Sequence, residues 1–258
     1  MPDRPCIEVD NLRKSFGASL VLDDVSLQVD RGNSLVVIGE SGSGKSVLLK
    51  CMLGLLTPDS GSVVVEGNSV ATHRESFLDR CGVLFQGGAL FDSIPVWQNV
   101  AFRRLHGSGR LSARHARQLG EEKLERVGLD RQVANLFPIE LSGGMQKRVA
   151  LARAIACNPD YLFFDEPTAG LDPIRSNDIS ALISDVASDM KVTTVTVTHD
   201  MGCVRAVASG IMMLRQGRIS WFGDLDEFDK ASNRYVARFS GSAQCAIDEN
   251  GNLGKNMD

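Results

Sequence analysis

Leu35-Val36-Val37-Ile38 is a continuous apolar run that leads directly into Gly39-Glu40-Ser41-Gly42-Ser43-Gly44-Lys45-Ser46, and Val47 to Leu56 then reads as a helix closed by Pro58. Strand, loop and helix in that order are the context in which the pattern G-x-x-x-x-G-K-[ST] cradles phosphate. Glycines let the backbone curl until successive N–H groups and the helix N-terminus converge on phosphate oxygens. Lys45 then neutralises β- and γ-phosphates, and Ser46 is placed to ligate Mg2+. A Gly-rich turn carrying a solvated Lys is the plainer alternative, and the agreement of motif and context argues against it.

A second stretch narrows the chemistry. Tyr161-Leu162-Phe163-Phe164-Asp165-Glu166-Pro167 is an apolar strand ending in two adjacent carboxylates. Side chains alternate along a strand, so the two are expected to differ in role. Asp165 suits the Mg2+ shell through water, and Glu166, at the strand's mouth, suits polarising an attacking water.

Short β-type runs at Ile7 to Val9, Leu20 to Leu22 and Val25 to Val29 predict an antiparallel N-terminal unit, with Gly17 and Gly32 as punctuation. Further strands are expected at Ser62 to Glu66, Val83 to Phe85, Tyr161 to Phe164, Thr193 to Val197 and Ile211 to Leu214. Several are apolar enough for burial on both faces, which predicts a parallel sheet. Between Val96 and Asn158 helix formers and charge dominate, with Ala113 to Val127 an amphipathic helix stopped by Gly128. Residues 241–258 are rich in Gly, Asn and Asp with few apolar anchors, and a flexible or partner-dependent tail is expected there.

The chain has 258 residues, about 1.7 times a usual domain. Its 28 Lys plus Arg against 32 Asp plus Glu leave a formal charge of −4, so no global positive field exists to hold nucleic acid. No window approaches the roughly 18 consecutive apolar residues of a spanning helix. The polar start Met1 to Cys6 lacks an apolar leader segment, so a cytoplasmic, reducing compartment is expected. Six well-separated Cys without a C-x-x-C pair argue against a zinc site or a disulfide framework. His73, His106 and His115 match no motif and are expected to be solvated or structural.

Leu141-Ser142-Gly143-Gly144-Met145-Gln146-Lys147-Arg148-Val149-Ala150-Leu151-Ala152-Arg153-Ala154, with Ser142 lying 23 positions before Asp165, resembles the signature motif of ABC-type ATPases. Ser142 can cap a helix whose N-terminus, with Gly143 and Gly144, approaches a phosphate closely. The resemblance runs from about Ile7 to Gly223. It implies an α/β P-loop NTPase core with an N-terminal antiparallel β subdomain and an inserted helical subdomain. The implied cassette spans residues 1–240, with a catalytic core of 1–87 and 159–240 and a helical part of 88–158.

The resemblance also implies site residues. Phe16, in Arg13-Lys14-Ser15-Phe16-Gly17, corresponds to the aromatic that stacks on adenine, where many relatives carry Tyr. Gly39, Glu40, Ser41, Gly42, Ser43, Gly44, Lys45, Ser46 and Val47 form the implied nucleotide-binding stretch. Gln86 matches the glutamine that contacts Mg2+ or the attacking water, and Ser46, Gln86 and Asp165 make up the implied metal set. Glu166 and His199 complete the catalytic set, His199 as the switch histidine toward the γ-phosphate. Asp172, in Ala169-Gly170-Leu171-Asp172-Pro173, falls in the loop that lies along the dimer interface of this family.

In the family, the signature helix serves the nucleotide held by the other protomer, so Ser142, Gly143 and Gly144 imply a head-to-tail dimer that traps two ATP molecules. Without a spanning helix, transport work passes to separate integral membrane permease subunits, with the chain peripheral on the cytoplasmic face of the inner membrane. The run Val83-Leu84-Phe85-Gln86-Gly87-Gly88-Ala89-Leu90-Phe91-Asp92-Ser93-Ile94-Pro95-Val96-Trp97-Gln98-Asn99-Val100 resembles the ATPases of MCE- and Mla-type phospholipid transporters. Met145 and the closing Arg234-Tyr235-Val236-Ala237-Arg238-Phe239 resemble that branch as well, which implies MCE-domain and accessory subunits as further partners. An importer of amino acids or other polar solutes shares every catalytic residue and remains the alternative. A soluble ATPase of cofactor (Fe-S cluster) assembly is a second. The roughly 97 residues between Lys45 and Ser142 are too few for the long coiled coil of repair ATPases.

Overall fold

The computed structural model describes residues 6–107, 109–231, 235, 236 and 239. The expected tail 241–258, together with Arg234, Ala237 and Arg238, lies outside the described residues.

Strands β1 (Ile7–Phe16) and β2 (Ser19–Val29) form one long antiparallel hairpin where three short strands were expected. The difference has a local cause. Asn11 and Asp24 stand in left-handed backbone, φ 46° and 60°, and their side chains bond at 2.7 Å, so the alternation of apolar residues is broken without breaking the strands. β4 (Ser60–Val65) joins the free edge of β1 antiparallel, and the short β5 (Asn68–Ser69) completes the sheet in the order β2-β1-β4-β5. The Ser62 to Glu66 segment therefore belongs to the antiparallel sheet rather than the parallel one. Only Val63 and Val65 of β4 are buried, the one-faced pattern of a half-covered strand.

The second sheet runs β10-β9-β3-β8-β7-β6, from β3 (Ser34–Ile38), β6 (Cys81–Leu84), β7 (Tyr161–Asp165), β8 (Thr193–Val197), β9 (Gly210–Arg215) and β10 (Arg218–Gly223). Five strands are parallel, and β10 closes the edge antiparallel to β9. The two-residue period of a strand sorts its side chains into two cores. Leu35, Val37, Tyr161, Phe163, Val195, Met212 and Leu214 face the antiparallel sheet and helix α1 (Lys45–Met52). Val36, Ile38, Leu162, Phe164, Ile211 and Met213 face the helices on the other side.

Helix α1 begins two residues before its expected start because Gly44 takes a left-handed φ of 106°. It ends at Met52, short of Leu56, in a Schellman turn. Leu55 N–H reaches Lys50 O at 2.9 Å and Gly54 N–H reaches Cys51 O at 3.0 Å, with Gly54 at φ 65°. Helix α2 (Val70–Asp79) links the antiparallel sheet to β6. The stretch that changes texture carries α3 (Val96–Val100), α4 (Phe102–His106), α5 (Ala113–Arg126) and α6 (Gly143–Ala154). α3, α5 with its C-cap, and α6 share a core through Val100, Leu124, Val127 and Val149, to which α4 adds no buried residue. Ser112 caps α5 and Gly128, at φ 73°, follows its end, close to the predicted bounds. Helices α7 (Pro173–Met190), α8 (Met201–Val207) and α9 (Leu225–Lys230) complete the chain order. Among the described residues no helix is long and apolar enough to cross a membrane.

Candidate functional site

Four loops leave the C-terminal ends of β3, β6, β7 and β8, and ligand sites of open parallel sheets form at such ends. They carry Gly39 to Gly44, Gln86, Glu166 and His199. All four contribute to one cleft of about 640 Å³, which Phe16, Val21, Lys45, Ser46, Val47 and Phe239 also line. A cleft of that size lies within the usual range for small-molecule sites, about 300–1,000 Å³.

The loop after β3 is sterically closed to other residues at two glycines. A Cβ on Gly39 would collide with the Leu214 carbonyl and stand 2.7 Å from Ser43 Oγ. One on Gly44 would lie 2.9 Å from both Leu22 Cδ2 and Val21 O. Lys45, 7% exposed, turns back across the loop and donates to Gly39 O at 2.8 Å and Glu40 O at 3.1 Å. Burial pushes its ammonium below the ordinary lysine value, while the Glu166 and Asp165 charges draw it back up. Ser43 Oγ is buried without a hydrogen-bond partner in the chain. A buried hydroxyl without a partner, in the same loop as Lys45, fits a site built for a polar ligand.

Ser46 Oγ donates to Asp165 Oδ1 at 2.8 Å, which joins the start of α1 to the end of β7. The pair is a set of hard oxygen donors of the kind that suits Mg2+, an ion that takes few protein ligands and leaves its remaining positions to water and phosphate. Among the described residues no group of three or more His, Cys, Asp and Glu forms a cage.

Glu166 does not continue the pleat of β7. Its backbone is left-handed, φ 48°, so alternation along the strand is not what separates it from Asp165; the turn itself re-aims it. Its N–H donates to Val197 O at 2.9 Å, and Ala169 N–H donates to its carbonyl at 3.2 Å. The carboxylate meets His199 Nδ1 at 3.0 Å, with the Glu166 side chain 10% exposed and that of His199 67% exposed. Carboxylate and imidazole thus sit together in the lining of the cleft.

Ser142, Gly143, Gly144 and Asp172 do not line this cleft. Ser142 Oγ accepts the Met145 N–H at 3.3 Å and caps α6. Asp172 caps α7, accepting from Arg175 N–H at 3.0 Å, and that bond holds its carboxyl below the ordinary range. The two helix starts are neighbours. A Cβ on Gly143 would meet Leu171 Cδ2 at 3.7 Å, and one on Gly144 would meet Arg175 Cδ at 3.7 Å. The expected site residues therefore fall into two groups within one chain, a cleft group and a signature group.

Three residues escaped the reading of the sequence. Val21 and Phe239 line the cleft, and Lys147 reaches from α6 toward it. Val21 and Phe239 carry no local signal, because they come to the cleft from an edge strand and from the C-terminal end. Lys147 stands in a helix that is otherwise polar on several sides, so its burial was not visible.

Residues 22–169, more than half of the chain, match the family model described as ABC transporter. The "Probable ribonucleotide transport ATP-binding protein mkl" of Mycobacterium leprae is 40% identical over 244 residues, 93% of this chain and 70% of that protein. The "Octopine permease ATP-binding protein P" of Rhizobium radiobacter is 38% identical over 240 residues, 88% of this chain and 90% of that protein. The "Intermembrane phospholipid transport system ATP-binding protein MlaF" of Haemophilus influenzae is 38% identical over 237 residues, 90% of this chain and 89% of that protein. Among solved structures, a dimeric ATP-binding cassette in a post-hydrolysis state bound to ADP and Pi superposes with a TM-score of 0.76 at 29% identity. That match covers 85% of this chain and 98% of the other. The chain belongs to the ABC transporter family and is its ATP-binding, ATP-hydrolysing subunit, with the P-loop cassette fold.

Proposed function

We propose that this chain works as one half of a head-to-tail dimer and drives permease subunits that move phospholipid between membranes. The observation that carries the lipid assignment is the likeness to MlaF, which covers 90% of this chain and 89% of that protein, beside the resemblance of the Val83 to Val100 run to MCE- and Mla-type ATPases. That run, beside the helical part, is the proposed docking groove for the permease. MCE-domain subunits are the proposed further partners, and the cytoplasmic face of the inner membrane is the proposed location. The working unit is a single cassette, residues 1–240, with core 1–87 and 159–240 around helical residues 88–158.

In this reading the N–H groups of Gly39 to Val47, with Lys45, hold the nucleotide phosphates. Phe16, half exposed beside the cleft, offers its ring face to adenine. Ser46, Asp165 and Gln86 hold Mg2+, which when bound neutralises charge on the β- and γ-oxygens. Glu166 takes the proton of the attacking water. His199 holds that carboxylate at 3.0 Å and orients it, with its exposed ring edge left for the γ-phosphate. Ser142, Gly143, Gly144 and Asp172, remote from their own cleft, serve the nucleotide of a second copy, and closure of the dimer excludes bulk water.

A polar-solute importer is the second reading, favoured by the equally full match to the octopine permease subunit. Purification of the tagged chain with its membrane partners, followed by mass spectrometry of proteins and extracted lipid, separates the two. Co-purified MCE-domain subunit and enriched phospholipid are expected. A solute-binding protein in place of both supports the importer.

A further inference from the structure

Lys147 is 6% exposed, although lysine is among the residues least often buried without a partner. Its ammonium donates to two backbone carbonyls, those of Gln86 and Glu166, the latter at 3.5 Å. Both belong to the cleft group, yet Lys147 sits on α6, three residues beyond Gly144. A second side chain of the same helix repeats the arrangement. Arg153 donates to Gly88 O and Ala89 O, each at 2.8 Å. Helix α6 therefore grips the segment after β6 at Gln86, Gly88 and Ala89, and touches the backbone of Glu166 as well.

Glu166 is the residue for which such a grip has consequences. Its left-handed backbone is strained and persists only where neighbours over-determine it. Val197 fixes its N–H from one side, and Lys147 and Ala169 fix its carbonyl from the other. Removing the ammonium leaves the carbonyl with one neighbour fewer, and the direction of the carboxylate follows the backbone that carries it.

We infer that Lys147 is a positioning residue that ties the signature helix to the backbone of Gln86 and Glu166 in the same chain, so that engagement of α6 on a partner's nucleotide sets this chain's own hydrolytic carboxylate. The inference rests on the dimer and base assignments proposed above. It gives the two cleft sites of a dimer a physical connection: the N-terminus of α6 touches one nucleotide, and the middle of the same helix holds the base that acts on the other. Burial lowers the Lys147 ammonium from the ordinary lysine value, with Asp165 and Glu166 opposing, as expected for a charge placed inward beside carboxylates.

The test uses mixed dimers of the full chain, made from two differently tagged copies. One copy keeps its hydrolytic carboxylate and the other carries Glu166→Gln. Lys147→Met, which keeps the side-chain length and removes the donors, is placed on one copy or the other, with Lys147→Gln as a milder second variant. On the copy that keeps Glu166, turnover is expected to fall about 10-fold or more with nucleotide affinity unchanged, as misplacement of a reacting group does. On the copy with Glu166→Gln, turnover is expected to change by less than about twofold, because that copy supplies only the signature helix. Equal loss in both arrangements, loss only in the second, or no loss in the first overturns the inference. Full turnover by the Glu166→Gln homodimer signals instead that the base assignment itself has failed.

Discussion

His199 Nδ1 lies 3.0 Å from Oε1 and 2.9 Å from Oε2 of Glu166, and the His199 backbone N–H donates to the same carboxylate at 3.4 Å. The side chain just past the end of β7 is thus held by the second residue after β8, two strands that are paired in register at Asp165 and Val197. A neutral imidazole that donates from Nδ1 keeps Nε2 as an acceptor at the exposed edge of the ring. One histidine can then orient a base on one side and sense a ligand on the other.

Glu166→Gln retains an oxygen that can accept the His199 proton, so the turn is expected to survive while the proton acceptor for water is lost. The expected outcome is a fall in turnover of about 100-fold or more, the range of general-base loss. ATP affinity is expected to stay near wild type, and a closed dimer to accumulate on size-exclusion chromatography with ATP. Unchanged steady-state hydrolysis removes Glu166 from the role of base.

Lys45→Ala removes the cation and also the donor that pins the carbonyls of Gly39 and Glu40. Both losses weaken the phosphate cradle, and ATP affinity is expected to fall by about 100-fold or more, since hydrogen bonds to charged groups contribute about 1.5–3 kcal/mol each. Titration calorimetry on the purified chain measures it. Wild-type affinity in that variant contradicts the phosphate-cradle assignment.

The phosphate loop and the carboxylate pair were legible because each joins an apolar run to residues of unusual type, and local sequence decides both. β8 was read to the residue, since Thr193 to Val197 is β-branched throughout and buried on both faces. Helix α7 was not recognised. Ser, Asn and Asp fill much of its length and compete for backbone hydrogen bonds, while its inward face is a sparse row of Ile179, Ile183 and Val186. β10 was missed because an edge strand buries little; only Gly223 of its six residues is buried. The inward turn of Lys147 lay beyond any local pattern, since its partners stand 61 and 19 positions away.

Gly82 is a packing constraint outside the site. A Cβ there would land on the Ala154 carbonyl oxygen and stand 2.7 Å from Leu162 Cδ2, and a carbonyl at the end of α6 cannot rotate aside. Gly82→Ala is expected to destabilise the chain by about 1–3 kcal/mol or more, the range for overpacking. Thermal melts read this as a loss of about 2–4 °C per kcal/mol. Gly210→Ala is the control. Its Cβ meets nothing within 4 Å, and the change is expected to stay within about 0.5 kcal/mol. Equal melting shifts in the two variants refute the packing argument.

Glu66 predicts the acid limb of stability. Arg80 Nη1 stands 2.7 Å from Glu66 Oε2, Arg31 pairs with the other oxygen, and Arg80 also bonds Asp160 at 2.5 Å. The Arg80 guanidinium holds the Glu66 carboxyl down to about 2, from an ordinary 4.5, against opposing desolvation. The unfolded chain binds the proton more readily, so this contribution is fully present above about pH 4.5 and is lost as pH falls through 4.5 toward 2. Its size is on the order of 1–2 kcal/mol, because a quarter of the side chain is exposed and solvent screens the pair. Arg80 and Asp160 immediately precede β6 and β7, at the ends of these strands remote from the cleft. Glu66→Gln is therefore expected to flatten the dependence of urea-unfolding free energy on pH between about 4.5 and 2, and to leave ATP affinity at neutral pH unchanged. An acid limb of wild-type steepness in that variant assigns it to other carboxylates, and a lost ATP affinity shows that the two ends of the strands are coupled.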